Sequence, residues 1–511
     1  MTRFSVYALI ATTAAVVSWV AVSQAQESPQ DTQWPVSGHD LNNSRSQPSE
    51  TLIGPANVPL LSPKWVFTAA GNISSTPTVF GSVVYFPDWG GNLNAVRADT
   101  GQKIWSKAVS DYDGVAGAIS RTSPAVHGDN LIIGDIQNSR QAHNGASIMA
   151  VNRQSGALNW ITKVDTHPAA IITGPPVVAG DTIYVGVSSN EESLATNPAY
   201  PCCTFRGSIV ALNANTGTML WKLYTVPDNG GMAGGYSGNA VWQPPAIDTG
   251  RGVLYVGTGN NYTVPAAALT CAEQGGSNCT VANDYFDTAI AVDLRTGSIK
   301  WANRLQGIDV FTVNCIINPA TCPAGTAPDF DFGGSGPNLL PTFVGFGQKS
   351  GQYWALDPGD GHVLWKTTLG PGGTLGGIEW GTATDQQRIY GAISNNGFLP
   401  YTLLNGQTIT WGSWSGLDAG TGKLLWQTAD PTSGSIDIGA MSVANGVVYA
   451  GSTSGTMYAL DALSGKILWS FASGGSVADG PSIVNGVVYW GSGYRSGAGG
   501  NNTKLYAFGV K

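Results

Sequence analysis

An eleven-residue pattern recurs seven times along the 511-residue chain and limits its possible folds more than any other feature. Each copy begins with a small residue and an apolar one, has glycine at its seventh position and ends on tryptophan. The copies are Ala95–Trp105, Ala150–Trp160, Ala211–Trp221, Ala291–Trp301, Ala355–Trp365, Gly416–Trp426 and Ala459–Trp469. Because glycine accepts the positive φ of a tight turn, each copy predicts a β-hairpin whose second strand carries the tryptophan.

Further apolar segments between the copies predict additional strands. They are Gly81–Pro87, Asp181–Val187, Gly252–Gly257, Gly446–Gly451 and Gly486–Gly491. About four strands per repeat is the unit of a propeller blade. An eighth tryptophan, Trp65, lacks the first half of the pattern, which the strand-like Leu505–Lys511 can supply. We therefore predict an all-β, eight-bladed β-propeller whose first blade is closed by the N- and C-terminal segments. Seven blades and an array of β-sandwiches are the alternatives.

The composition and the N-terminal sequence indicate the cellular compartment and exclude one class of binding partner. The net charge is −8 with no basic run, so nucleic acid is not an expected partner. Arg3, an apolar stretch from Val6 to Val22 and Ser23-Gln24-Ala25 predict a signal peptide over residues 1–25, with a membrane anchor as the alternative. Residues 26–511 are then one propeller domain without a stable membrane span. We expect a periplasmic or secreted protein.

Six cysteines fit an oxidising compartment. They form three close pairs, Cys202-Cys203, Cys271/Cys279 and Cys315/Cys322, although six cysteines allow 15 connectivities. The chain contains no C-x-x-C-H sequence, so covalent haem is not expected. The spacing between pattern tryptophans is longest in mid-chain, where loops can build a site on one face.

The repeat resembles the tryptophan-docking repeat of quinoprotein alcohol dehydrogenases, which hold pyrroloquinoline quinone (PQQ) and a metal ion. The segments most similar to the polyvinyl alcohol dehydrogenases of this family are Trp34–Asp40, Asp88–Leu93, Pro328–Leu339, Gly377–Asp385 and Gly486–Tyr494. Cofactor-free scaffold propellers of outer-membrane assembly carry a similar repeat, so the residues of the site decide between the two functions. The resemblance implies oxidation of alcohols by PQQ.

The resemblance implies a set of cofactor-binding residues. Trp242 matches the tryptophan on which the planar quinone stacks, with an ordinary core tryptophan as the alternative. Arg121 and Lys349 match cationic positions at the quinone oxygens or carboxylates, with solvated loop cations as the alternative. Thr173 resembles a further hydrogen-bonding position.

Adjacent cysteines can form a disulfide that in this family covers the quinone face opposite the tryptophan. The resemblance assigns that role to Cys202 and Cys203, but their place in the chain departs from the family pattern. In methanol dehydrogenases the pair precedes the position of Arg121, whereas here it follows Glu191 by eleven residues. A purely structural disulfide, or two separate bridges, is therefore the alternative.

The resemblance also implies metal ligands. Glu191, with Glu192 as an adjacent rival, and Asn260 and Asp329 match positions whose oxygens suit a hard cation such as calcium. Asp331 stands two residues after Asp329, a spacing that marks lanthanide use in related methanol dehydrogenases. Alternation on a strand would direct both carboxylates to one face. We expect Ca²⁺, with a lanthanide as the alternative.

By the same resemblance, Asp329 takes the alcohol proton and Lys349 stabilises the oxygen of the reduced quinone. An external acceptor, such as a c-type cytochrome, then collects the electrons. Polyvinyl alcohol or another secondary alcohol is the expected substrate. A small alcohol or sugar, or a cofactor-free scaffold role, are the alternatives.

Overall fold

A computed structural model describes residues 1–2, 33–137, 145–327, 329–332, 334–494 and 499–510 of the chain. Apart from Met1 and Thr2, the predicted signal peptide of residues 1–25 lies outside these described residues.

Eight sheets, each built on four antiparallel strands, form the ring, as the eight tryptophans predict. Short strands extend two of them: Ser46–Gln47 pairs in parallel with Ser442–Ala444, and Ala170–Ile171 pairs with Thr182–Ser189. We number the blades by the chain order of their outer strands and give each blade from inner to outer strand. Blade 1 comprises Ser482–Val484, Val487–Gly491, Lys504–Val510 and Leu61–Thr68. Blade 2 comprises Thr78–Phe80, Val83–Pro87, Asn92–Arg97 and Lys103–Ala108. Blade 3 comprises Ala125–His127, Asn130–Gly134, Ala146–Asn152 and Leu158–Asp165. Blade 4 comprises Val177–Ala179, Thr182–Ser189, Ser208–Asn213 and Met219–Tyr224.

The second half of the chain forms the other four blades. Blade 5 comprises Ala246–Asp248, Val253–Gly257, Thr288–Asp293 and Ile299–Arg304. Blade 6 comprises Asn338–Leu339, Val344–Gly347, Gln352–Leu356 and Val363–Thr368. Blade 7 comprises Ala383–Thr384, Arg388–Ile393, Ser413–Asp418 and Leu424–Ala429. Blade 8 comprises Ser442–Ala444, Val447–Gly451, Thr456–Asp461 and Ile467–Ala472.

Few other elements occur among the described residues. Short strands lie at Ser46–Gln47, Ala118–Ile119, Ile136–Gln137, Ala170–Ile171, Ser237–Gly238, Asn261–Thr263, Tyr401–Thr402 and Thr408–Ile409. The α-helices are Ser110–Asp113, Glu191–Leu194, Ala266–Glu273 and Asn314–Ile317, with 3₁₀ turns at Val58–Leu60 and Pro319–Thr321. In the part of the chain that the structure describes, no helix has the length and apolar character required to cross a membrane.

Both ends of the chain close blade 1, as predicted. The N-terminal strand Leu61–Thr68 pairs with the C-terminal strand Lys504–Val510, and Trp65 lies opposite Ala507. The same pairing of a small residue with tryptophan occurs within the repeats, for example between Ala95 and Trp105. The C-terminal strand therefore supplies the missing half of the eighth copy.

The pattern tryptophans join each blade to the next. Their indole N–H groups donate to backbone carbonyls of the adjacent blade, as Trp105 does to Arg153 (3.1 Å) and Trp469 to Leu61 (2.9 Å). The glycine of the following repeat has positive φ and lies against the indole, as Gly422 does against Trp365. The pattern thus encodes the contact between blades as well as the hairpin.

An N-terminal segment, residues 34–47, follows the ring of inner strands around the central channel and binds them one after another. Its backbone carbonyls accept hydrogen bonds from blades 2, 3, 5, 6, 7 and 8, and the Gln47 amide donates to Ile483 in blade 1. The buried guanidinium of Arg45 donates to Met441 O, Ser37 O and Thr76 Oγ1. This segment forms the floor of the channel.

Candidate active site

A cavity on the propeller axis is lined by all eight blades. Each blade contributes residues from the segment that leads into its inner strand, among them Arg121, Thr173, Trp242 and Trp380, and Arg45 lies at the floor. We call this space the axial cavity. It brings together three of the predicted cofactor-binding residues, Arg121, Thr173 and Trp242, which are far apart in the sequence.

Lys349 connects the predicted stacking tryptophan with the two predicted aspartates. Its Nζ lies 2.9 Å from Asp329 Oδ2, 3.4 Å from Asp331 Oδ1 and 5.1 Å from the centre of the Trp242 ring. The Trp242 indole N–H donates to Asp331 Oδ2 at 3.3 Å. All three charged side chains are almost fully buried. The structure therefore gathers one indole and two carboxylates around one ammonium group.

Asp329 and Asp331 are not brought to one face by alternation along a strand. Neither residue belongs to a strand, and Asp329 has φ +62°. The Asp309 carboxylate accepts hydrogen bonds from the backbone N–H groups of Asp329 (3.3 Å) and Phe330 (2.6 Å). This anchored bend, instead of strand alternation, turns both carboxylates towards Lys349.

Negative groups outnumber positive ones around Lys349. Burial raises the pKa of Glu192, Asp309 and Glu379 to about 7 each. Burial also raises the pKa of Asp329 well above its ordinary value, although the neighbouring ammonium opposes the shift. A divalent or trivalent cation near these carboxylates would offset the charge excess and keep them ionised.

Burial alone would lower the pKa of Lys349, but the carboxylates of Asp329 and Asp331 outweigh it and hold that pKa well above its ordinary value. The side chain is therefore an ammonium group at neutral pH, able to donate hydrogen bonds to an anionic oxygen.

Asn260 is fixed with its amide oxygen available as a ligand. Its Nδ2 donates to the backbone carbonyls of Asn261 and Phe311, both at 2.8 Å. Because both amide hydrogens have acceptors, the orientation of the side chain is set. The preceding residue, Gly259, lies against the Asp331 carboxylate. Asn260 is thus adjacent to the acidic cluster.

The two neighbouring glutamates face different surroundings. Glu191 Oε1 accepts hydrogen bonds from Tyr200 OH (3.0 Å) and Thr204 N (2.8 Å), and its Oε2 accepts one from Phe205 N (2.7 Å). Glu192 instead interacts electrostatically with Lys349 and Asp331. The structure does not show contact between the Glu191 carboxylate and the cluster, whereas Glu192 interacts with the cluster electrostatically.

Arg121 is held in an aromatic cage at the cavity wall. Its guanidinium lies 4.6 Å from the Trp380 ring centre, 5.6 Å from that of Trp89 and 5.7 Å from that of Tyr494. Trp380 also contacts Trp242 edge-to-face at 5.2 Å. Stacking leaves the guanidinium edge free to address a carboxylate or quinone oxygen in the cavity.

The cysteines pair as their proximity suggests, in the disulfides Cys202–Cys203, Cys271–Cys279 and Cys315–Cys322. Cys202 and Cys203 immediately precede Thr204 and Phe205, whose backbone amides bind Glu191. Cys202 lines a separate cleft, and neither cysteine of this disulfide lines the axial cavity.

Sequence reasoning missed several residues of the cluster. Glu379 is buried and interacts electrostatically with Lys349 and Arg121, while the buried pair Asp287 and Asp309 supports the bend. The sequence feature that could have indicated Glu379 is its position in the segment Gly377–Asp385, which resembles polyvinyl alcohol dehydrogenases. Asp287 and Asp309 belong to no sequence motif, because their contacts form only between loops that are distant in the sequence.

Comparison with known proteins defines the class. Residues 34–322 match the PQQ family described as glucose/ethanol/alcohol dehydrogenase, β-propeller domain. Residues 412–508 match the family described as outer membrane protein assembly factor BamB. The chain therefore belongs to the PQQ-dependent glucose/ethanol/alcohol dehydrogenase β-propeller family.

Relatives within that family are the polyvinyl alcohol dehydrogenases. The chain is 30% identical to one from a Pseudomonas species, over 90% of this chain and 73% of the relative. It is 31% identical to one from Sphingopyxis sp. strain 113P3, over 90% and 72% of the two chains. The fold matches the crystal structure of quinohemoprotein alcohol dehydrogenase from Comamonas testosteroni with a TM-score of 0.70 at 19% identity, covering 94% and 80%. The predicted family, fold and enzyme class are confirmed.

The axial cavity fits the PQQ and metal that this family uses. Three buried oxygens at or beside the cavity have no hydrogen-bond partner among the described residues: Thr173 Oγ1, Asp329 Oδ1 and Glu379 Oε2. Buried polar atoms of this kind call for a ligand. Together with an indole face and a surplus of carboxylates, they suit a planar polar molecule and a hard cation.

Proposed function

We propose that this chain oxidises secondary alcohols, those of polyvinyl alcohol included, with PQQ stacked on Trp242 and a calcium ion beside it. Contact of Lys349 with Asp329, Asp331 and Trp242 carries the proposal, because it joins the base, the cation-binding group and the stacking platform at one centre. Arg121, Thr173 and Lys349 bind the polar edge of the cofactor, whereas the Cys202–Cys203 disulfide, which does not line the axial cavity, takes the structural role that the sequence leaves as the alternative.

We assign the metal to Asn260 Oδ1, Asp329 and Glu192. Glu192 replaces the predicted Glu191 in this proposal because the Glu191 oxygens already accept four hydrogen bonds. Asp331 interacts through each carboxylate oxygen with a donor, Lys349 or Trp242. A carboxylate engaged in this way favours calcium over a lanthanide, which would need Asp331 as an additional anionic ligand.

When bound, PQQ supplies the hydride acceptor and the metal supplies Lewis acidity. The protein supplies the base and the hydrogen-bond donors. Asp329 accepts the hydroxyl proton of the alcohol through Oδ1, which has no hydrogen-bond partner among the described residues, while Oδ2, which accepts a hydrogen bond from Lys349, is the oxygen that we assign to the metal. Lys349 donates hydrogen bonds to the oxygen on which negative charge develops, and the buried cluster excludes water around it.

Electrons leave to an external acceptor, for which we propose a c-type cytochrome. Three disulfides support a periplasmic or extracellular location, because cytosolic thiols are kept reduced.

Reconstitution tests the proposal. Purified protein with PQQ and Ca²⁺ should oxidise 2-butanol and polyvinyl alcohol with a dye acceptor, and lanthanum should support less activity than calcium. Asp329→Asn should lower kcat by about 10²–10⁴-fold, the range expected for loss of a general base. Asp360→Asn, on the exposed blade 6 turn, is the matched control and should retain activity. Absence of any alcohol oxidation after PQQ binding would refute the proposal, and near-normal turnover by Asp329→Asn would refute the role of that residue.

A further inference from the structure

A second opening, which we call the side cleft, lies between loops inserted in blades 4 and 5 and the segment that follows blade 5. Its volume is about 430 Å³, within the range of small-molecule sites. Its walls include Cys202, Tyr262, Val264, Leu269, Phe311 and Thr312. The loops around it account for the long mid-chain spacing between pattern tryptophans.

The chemistry of these walls selects the kind of ligand. The walls combine the apolar side chains of Val264, Leu269 and Phe311 with hydroxyl-bearing residues such as Thr312, and no charged side chain lines the cleft in the described part of the chain. Anionic ligands such as phosphates would find no counter-charge there. A neutral hydrocarbon chain bearing hydroxyl groups matches both components of the wall.

One wall residue of the side cleft contacts the candidate active site. The backbone carbonyl of Phe311, a wall residue, accepts the hydrogen bond from Asn260 Nδ2 that fixes this proposed metal ligand. Cys202, another wall residue, lies two residues before Thr204, which binds Glu191. The wall of the side cleft therefore adjoins the proposed metal ligand Asn260.

Exposed apolar side chains stand on the segments that wall the cleft. Met232 is 68% exposed, Ile316 56% and Ile317 64%. They flank the wall residues Gly234 and Cys315 in sequence. The disulfides Cys271–Cys279 and Cys315–Cys322 tie these loops, so the rim is preorganised. Apolar groups kept at a loop surface are typical of an interaction site.

We propose that the side cleft binds the part of a polymeric alcohol that extends beyond the reacting carbinol, as a neutral chain with regularly spaced hydroxyls. This proposal rests on the proposed function, since it assigns the reacting carbinol to the axial cavity. It predicts that the enzyme favours long chains over short alcohols of the same chemistry.

Two neighbouring alanines offer a matched test. Ala266 and Ala267 are both exposed on the helix Ala266–Glu273, but Ala266 lines the side cleft and Ala267 does not. Ala266→Trp should lower the ratio of kcat/KM for polyvinyl alcohol to that for 2,4-pentanediol by about tenfold, a usual size for a changed pocket contact. Ala267→Trp should leave that ratio within about twofold of the wild type. An unchanged ratio in Ala266→Trp would overturn the proposal, as would equal kcat/KM of the wild type for polymer and diol.

Binding without turnover separates this proposal from the proposed function. Polyvinyl alcohol should quench or shift tryptophan fluorescence of the cofactor-free wild type and of Ala267→Trp, and should bind Ala266→Trp about tenfold more weakly. If the reconstituted enzyme oxidises no alcohol while this binding pattern holds, the proposed function fails and the cleft assignment stands. Leu269→Asn, a smaller change in the same wall, replaces Ala266→Trp if the latter does not fold, and unaltered polymer binding by it would overturn the cleft assignment.

Discussion

At the scale of single residues, Glu191 and Glu192 show that a shift of one position along the sequence changes the groups with which a carboxylate interacts. Both lie in the one-turn helix Glu191–Leu194, where successive side chains diverge by about 100°. One carboxylate therefore faces the backbone amides of Thr204 and Phe205, and the other faces Lys349. Similarity to a family motif cannot distinguish these adjacent acids, because the direction of each side chain is set by the local helix.

Paired variants separate their roles. Glu192→Gln should raise the Kd for Ca²⁺ at least about tenfold, since it removes a charged ligand. Glu191→Gln should leave that Kd within about threefold but destabilise the protein by about 1–3 kcal/mol, because an amide NH₂ would meet a backbone N–H donor. Calcium titration and thermal unfolding measure the two effects. The reverse pattern would return the ligand role to Glu191, as the sequence resemblance predicts.

At the scale of elements, the blade and its docking contact were predictable because they depend on a local, periodic pattern. The seven pattern glycines, and the pairing of Trp65 with Ala507, follow directly from residue spacing. The loops that build the site were only partly predictable. Trp242, Arg121 and Lys349 were found by resemblance, whereas Glu379 and Arg45 act through contacts between distant segments that no local pattern encodes.

Two glycines in one turn of blade 7 test the docking contact. Gly422 has φ +71° and an added methyl group would overlap the Trp365 indole, whereas Gly420 is exposed and lacks positive φ. Gly422→Ala should cost about 3 kcal/mol, from about 1–2 for the left-handed backbone and about 1–3 for overpacking. Gly420→Ala should stay within about 0.5 kcal/mol of the wild type. Denaturant unfolding compares them, and equal midpoints would show that the contact adds little stability.

At the scale of the whole molecule, the propeller gathers carboxylates from several blades into a space with too few positive charges. Burial raises the pKa of Asp135, Glu192, Asp309 and Glu379 to about 7 in the folded chain. Ordinary carboxyl pKa values near 4 apply in the unfolded chain. Between about pH 4 and about pH 7 the folded chain therefore binds more protons than the unfolded chain. The stabilisation from this cause is complete below about pH 4 and is lost as the pH rises through about 7.

This linkage predicts opposite pH responses with and without the cation. In chelator, the midpoint of thermal unfolding should fall by a few degrees between pH 5.5 and pH 8, since a chain of this length loses little Tm per kcal/mol. Calcium binds the ionised carboxylates of the folded state, so saturating Ca²⁺ should abolish most of this fall in the unfolding midpoint. Asp135 lies outside the cluster, so the part of the fall that its titration causes should persist in saturating calcium. A midpoint that rises with pH in chelator, or a calcium effect that is larger at pH 5.5 than at pH 8, would contradict the charge excess on which the metal assignment depends.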